Sequence, residues 1–250
     1  MNRATQLALN RINQRFYARV ADQWSHKRKH AWPGFERVLA AVGGDTQHVL
    51  DVGCGDGRFA QFLCERAPGE RSYLGLDSSA SLLARAARRA LGPAFRFHEH
   101  DVVTRPVAEG LGQGRYQLIT LFGVLHHVPG RRQRAALVQA LAQRLVRGGR
   151  LVFTIWKLDE DPRFQALTIP FEDYNRGAQE SLDLAQLEPG DRLLRWDARA
   201  DTPRYCNFPA ASELSQLIAE SELEECERFR ADGHLSRMNE YVVLRPHQPA

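Results

Sequence analysis

His48-Val49-Leu50-Asp51-Val52-Gly53-Cys54-Gly55-Asp56-Gly57-Arg58-Phe59 decides the fold of this chain. Its apolar start reads as a buried strand, its alternate glycines as a loop, and the residues after them as a helix. Glycines at 53, 55 and 57 let the backbone approach a bulky ligand with no Cβ in between, and Asp51 ends the strand with a carboxylate. A dinucleotide loop of the form G-x-G-x-x-G needs its third glycine at position 58, which is Arg58, and it cradles a pyrophosphate instead of opening on an acid.

Residues 72–77 form a short apolar strand that ends in Asp77, 20 residues past Gly57. A doubly wound fold places there the carboxylate that binds both ribose hydroxyls. Residues 95–102 read as a third strand, with Asp101 and Val102 near the position of an adenine amino group. The fourth strand, 116–122, ends on Phe122 and runs straight into Gly123-Val124-Leu125-His126-His127. In such a sheet the ligand lies over the carboxyl ends of the strands. The candidate cofactor residues are therefore Asp51, Gly53, Cys54, Gly55, Asp77, Ser78, Asp101, Val102 and Phe122. S-adenosylmethionine suits this loop better than a dinucleotide, because it has no phosphate and its amino and sulfonium groups are cationic. Taken alone, Gly53 and Gly55 also fit an ordinary strand-to-helix turn, and Asp77 also fits a helix N-cap. Together the motifs resemble the class I S-adenosylmethionine-dependent methyltransferases over about residues 45–157.

That resemblance implies an α/β, Rossmann-like fold: a seven-stranded, mostly parallel sheet with an antiparallel C-terminal hairpin and helices on both faces. Periodicity predicts helices over 5–23, 34–42, 57–66, 79–90 and 131–146, the last carrying Leu137, Leu141 and Leu145 and stopped by Gly148-Gly149. A fifth strand is expected at 150–156, a helix capped by Ser212, and final strands at 224–230 and 240–245. The chain divides into a basic helical extension (1–44), a core (45–156 and 204–250) and a lid or substrate insertion (157–203) within a single domain.

The net charge of +4 is unevenly spread. Residues 1–44 carry a net +6, residues 128–150 hold six arginines and no acid, and residues 157–203 hold eleven acids against six bases. A polyanion is drawn to the N-terminal segment and to the helix start at Arg131–Arg134, although an arginine-rich helix face is equally well read as solvated surface. Cys54, Cys64, Cys206 and Cys226 show no metal-ligand or disulfide spacing, so no metal is expected. With no apolar stretch long enough to span a bilayer and no signal-peptide pattern, a cytoplasmic protein without membrane contact is expected.

The ends of the chain narrow the resemblance. Residues 16–33, with Tyr17 and Trp32-Pro33, are similar to the opening of the tRNA wobble-uridine (5-carboxymethyluridine) methyltransferases. His126-His127-Val128 before Arg131, the strand-terminal Trp156, and Arg204-Tyr205-Cys206-Asn207-Phe208 before Glu213-Leu214 extend the likeness. It departs at Asn207, where the family carries His, and at Lys27-Arg28-Lys29. The resemblance implies methyl transfer to the carboxylate of a 5-carboxymethyl group, an acceptor already ionised at neutral pH. It also implies tRNA as partner and a small zinc-binding activator in some relatives. Candidate acceptor-binding residues are Tyr17, Arg28, Trp32, His126, Arg131, Trp156, Arg204 and Tyr205. A neutral small-molecule acceptor needs a base instead, for which His126 and His127 are the candidates. A non-catalytic cofactor-binding subunit is the third alternative.

Overall fold

In a computed structural model, the structure describes residues 1–27 (21–27 as backbone only), 30–43, 46–89, 91–111, 113–196 and 202–247. The order is α1 (Arg3–Lys27), α2 (Gly34–Val42), β1 (His48–Val52), α3 (Arg58–Arg66), β2 (Ser72–Asp77), α4 (Ala80–Arg88), β3 (Phe95–Glu99), α5 (Ala108–Leu111), β4 (Tyr116–Leu121), α6 (Arg131–Ala142) and β5 (Leu145–Trp156). There follow α7 (Pro162–Gln165), β6 (Thr168–Ile169), α8 (Phe171–Gly177), β7 (Asp191–Leu194), β8 (Arg204–Asn207), α9 (Ala211–Glu220), β9 (Leu223–Ala231) and β10 (Asn239–Pro246).

The main sheet has the expected seven strands, in the order β3-β2-β1-β4-β5-β10-β9, with β10 antiparallel to both its neighbours. The order reverses between β1 and β4, and a crevice opens at their carboxyl ends, where a doubly wound sheet binds its ligand. Near-continuous apolar strands such as β1 and β4 are buried on both faces because helices cover both. One face packs Leu50, Ile119 and Phe153 against α6 and α9; the other packs Val49, Leu118 and Val152 against α2 and α3.

Three expectations shift. The helix over 131–146 ends at Ala142, and Leu145 begins β5, paired with Tyr116. Gly148-Gly149 does not stop a helix but makes an irregularity within that strand: pairing jumps from Tyr116↔Leu145 to Leu118↔Arg150, with Gly148 at φ +80°. Helix α9 starts at Ala211, so Ser212 lies inside it and no side chain caps it. The segment 157–203 is not a strandless lid, and the small structure it builds runs past residue 203. Its β6 and β7 pair with β8 in a three-stranded antiparallel sheet, so 204–207 belong with it and not with the core sheet.

This platform sheet is seated on the core by α1. Leu9 and Ile12 of α1 pack on Leu182, Leu193 and Tyr205, with Phe171 and Tyr174 against the same cluster. Those lid aromatics are packing residues, and Trp196 likewise contacts Phe16 (ring centroids 5.5 Å apart). The arginine-rich start of α6 is engaged with the platform too. Arg134, 1% exposed, pairs with Glu188 (2.8 Å) and with Glu213, while the Arg131 side chain donates to Gln216 (2.5 Å). The part of this cluster expected to attract polyanions thus joins two layers of the fold.

Candidate active site

The carboxyl ends of the parallel strands and one face of α1 enclose an open cleft of about 1110 Å³. Asp51, Gly53, Cys54, Gly55, Asp77, Ser78, Asp101, Val102 and Phe122 all line it. The glycine loop folds back on β2, with the Gly53 and Cys54 N–H groups donating to the Leu76 carbonyl at 2.6 and 3.0 Å. Gly53 has φ +75°, and a Cβ there would sit 2.1 Å from Val124 Cγ2, so no side chain fits. A Cβ on Gly55 would meet nothing within 4 Å, so that face of the loop looks into open space.

Asp77 ends β2 and holds the loop: Oδ2 accepts the Gly55 N–H (2.9 Å) and Oδ1 the Ser79 N–H (2.8 Å). The N-cap of α4 is Ser79, whose Oγ accepts from Leu82 N, so Asp77 is left facing the cleft. Asp51 is held by Tyr73 Oη (2.5 Å) and Thr120 Oγ1 (2.7 Å). Burial pushes both carboxyls up to about 6, against the lowering effect of those hydrogen bonds. A buried carboxylate whose value is raised gains stability as pH falls from above 6 towards 4, because the folded state then binds the extra proton. Binding a cationic cofactor needs the opposite, ionised form. Affinity for S-adenosylmethionine is therefore expected to hold above pH 6 and to fall below it, about tenfold per pH unit for each carboxylate that must ionise. Calorimetric titration from pH 5 to pH 8 checks this, and a flat profile contradicts it.

Asp101 is tied to α1. Its Oδ1 accepts Val103 N–H, and its Oδ2 accepts Asn10 Nδ2 and Gln14 Nε2, each at 2.8 Å. Asn10, Asn13, Gln14 and Tyr17 recur at helical spacing and form one cleft-facing stripe. The sequence reading found only Tyr17 among them. The signal was the polar interval between the buried Leu9, Ile12 and Phe16.

Tyr17 reaches His127. Nδ1 of His127 lies 2.7 Å from the Tyr205 carbonyl, which only accepts, so that nitrogen carries the proton; Nε2 then accepts from Tyr17 Oη at 2.9 Å. Tyr17, Trp32, His127 and Trp156 line the cleft. The other candidates are placed differently. His126 is fully buried, stacked on Trp156 with centroids 3.9 Å apart, and does not line the cleft. Tyr205 turns its ring into the platform and donates its hydroxyl to Asp191 (2.7 Å), touching the site only through its backbone. Strand alternation explains the turn: Tyr205 and Asn207 both reach Asp191, while Arg204 points the other way, onto Trp156 (4.6 Å) and Phe16 (5.6 Å). Arg131 lies away from the cleft, and Arg28 falls outside the described residues.

The glycine cradle, the carboxylates of β1, β2 and the β3 loop, and the wall of Trp32, Phe59 and Phe122 suit a nucleoside bearing a cationic tail. Residues 49–149 match a family model described as a methyltransferase domain. The chain is a class I S-adenosylmethionine-dependent methyltransferase. It is 24% identical over 155 residues to the tRNA (carboxymethyluridine(34)-5-O)-methyltransferase of Schizosaccharomyces pombe, covering 60% of each chain. It is 31% identical over 140 residues to a ubiquinone biosynthesis O-methyltransferase of Sodalis glossinidius, covering 55% of this chain and 52% of that one. The chain thus spans between half and two thirds of these two curated relatives. In fold, this methyltransferase superposes on an S-adenosylmethionine-dependent methyltransferase from Clostridium acetobutylicum with a TM-score of 0.62 at 13% identity, covering 94% of this chain and 99% of the other. No helix among the described residues is long and apolar enough to cross a membrane.

Proposed function

We propose that this methyltransferase esterifies a carboxylate, and that its acceptor is the 5-carboxymethyl group of a uridine at the tRNA wobble position. The observation that carries this reading is Arg204. Its guanidinium is buried, stacked on the cleft-lining Trp156, with no hydrogen bond or carboxylate partner among the described residues and with Nε sealed from solvent. Burial lowers the pKa of this arginine, yet a guanidinium stays charged. An uncompensated buried cation is costly, and an anion arriving at the Tyr17–Trp156 wall relieves that cost. The cofactor supplies an activated methyl group. The protein's part is to hold the acceptor anion and to exclude water, and an ionised carboxylate needs no base.

The named activity of the Schizosaccharomyces pombe relative agrees with this reading, as does the exposure of Arg15 and Arg19 on α1. The test is transfer of labelled methyl from S-adenosylmethionine to bulk tRNA lacking wobble esters, digested to nucleosides and analysed by mass spectrometry, with and without a small zinc-binding activator. A methyl ester of carboxymethyluridine is expected. Arg204→Met is expected to cut its formation at least tenfold while leaving cofactor affinity unchanged. Loss of cofactor binding in that variant removes the assignment.

The Tyr17–His127 pair favours a second reading, O-methylation of a hydroxyl on a small molecule, in keeping with the name of the Sodalis glossinidius relative. A hydroxyl proton passes to Tyr17 Oη as the Tyr17 proton passes to His127 Nε2, which is already poised to accept it. Salt separates the two readings: tRNA methylation should weaken steeply between about 50 and 200 mM salt, and small-molecule turnover should not.

A further inference from the structure

Arg58 stands where a dinucleotide loop would carry its last glycine, and nothing in the chemistry above uses it. It lines the cleft at the start of α3, with its guanidinium carbon 4.8 Å from the centre of the Trp32 ring. Among the described residues it makes no hydrogen bond and no ion pair, and its Nε is buried without a partner. The acids around it are all committed elsewhere. Asp56 pairs with Arg89 at 2.8 Å. Asp51 is held by Tyr73 and Thr120. Asp232 accepts from Gly34 N (3.0 Å), Asn239 Nδ2 (2.7 Å) and Tyr241 Oη (2.7 Å).

Those contacts also set the geometry around Arg58. Asp232 pins the start of α2 to the β9–β10 hairpin, and this fixes Trp32, which stacks with Phe35 (5.5 Å) beside Phe122 and makes the apolar plate under the guanidinium. A cation so placed offers its donors to one direction, the cleft.

We infer that Arg58 binds the α-carboxylate of the methionyl end of the cofactor. That carboxylate is the one anionic group of S-adenosylmethionine, and the other carboxylate-bearing walls of the cleft, at Asp51, Asp77 and Asp101, are wrong in sign for it. Arg58 thereby sets the direction of the tail, carboxylate towards the α3 side beside the glycine loop. It also makes the site select a cofactor that keeps its carboxylate over one that has lost it. The inference concerns the cofactor alone and stands apart from the identity of the acceptor.

The test compares S-adenosylhomocysteine with its decarboxylated analogue, which keeps the nucleoside, sulfur and amine, by calorimetric titration of the full chain. Wild type should bind the intact compound at least tenfold more tightly. Arg58→Met should weaken S-adenosylhomocysteine by about tenfold or more and leave the decarboxylated analogue within a factor of about three, so that discrimination disappears. Arg58→Lys should recover part of it, since the charge remains while the planar fork does not. Thermal melts of the unliganded variants report folding, and the analogue's retained affinity reports an intact cleft. If Arg58→Met keeps the wild-type preference, or weakens both ligands equally, the assignment is wrong. If it leaves both unchanged and raises only the acceptor KM, Arg58 serves the acceptor instead and the inference falls.

Discussion

Asp77→Ala is expected to abolish measurable cofactor binding, lowering affinity for S-adenosylmethionine by a hundredfold or more, about 3 kcal/mol or beyond. Two losses coincide at this position. The carboxylate at the end of β2 is the acceptor that a doubly wound sheet offers to both ribose hydroxyls, and two hydrogen bonds to a charged group are worth more than their neutral counterparts. The same side chain also accepts the Gly55 and Ser79 N–H groups at 2.9 and 2.8 Å, so its removal frees the glycine loop from β2 at the face that looks into the cleft. Asp77→Asn separates the two effects. It keeps one carbonyl oxygen for the loop while removing the charge, so it should bind weakly and without the fall below pH 6 that Asp77 contributes. Calorimetry on both variants decides, with circular dichroism to show that each folds. Near-wild-type affinity in Asp77→Ala would remove Asp77 from the cofactor site. Because a desolvated carboxylate is unfavourable in the unliganded fold, both variants should melt no lower than wild type above pH 6, unless the loop contacts outweigh that relief.

What was legible in the sequence was what short stretches of chain decide. A strand, a glycine loop and a helix follow one another within residues 48–66, and each acid at a strand end is a local feature, so all nine cofactor candidates converge on the cleft. The acceptor half depends on partners far along the chain. Arg134 looks like a free cation until Glu188 and Glu213, 54 and 79 residues away, are folded against it. Tyr205 looks like a site aromatic until the register of β7 and β8 sets Asp191 beneath its hydroxyl. The same strand sends Arg204 the opposite way, towards Trp156. Gly148-Gly149 punctuates the chain as it would end a helix, and only the pairing of β5 with β4 shows that it interrupts a strand. Arg58 was noticed as a missing glycine; its worth as a cation emerges only once its acidic neighbours are seen to be engaged.

Arg134→Ala is expected to destabilise the chain by about 3–5 kcal/mol, because it leaves two shielded carboxylates without their cation. Glu188 and Glu213 are 20% and 18% exposed at the side chain, and both aim at one guanidinium that is itself 1% exposed and also donates to the Val128 carbonyl at 3.0 Å. For a chain of this length the loss corresponds to a melting temperature lower by on the order of 10 °C. The effect should reach the acceptor site along a chain of contacts. Glu188 N–H donates to Asp191 Oδ2 (2.8 Å), Asp191 Oδ1 accepts from Tyr205 Oη, and the Tyr205 carbonyl holds the His127 ring in the tautomer that faces Tyr17. Turnover should therefore drop at temperatures where the variant is folded, while affinity for S-adenosylhomocysteine stays near wild type, since the cofactor half is built on the strands and the glycine loop. Adding Glu188→Gln and Glu213→Gln to an Arg134→Met background should return most of the melting temperature by removing the stranded charges, as neutral side chains of similar volume replace buried ion pairs at little cost. An Arg134→Ala chain that melts with wild type would show that the ion pairs add nothing to the docking, and the apolar contact of α1 with Leu182 and Leu193 would then be what seats the platform.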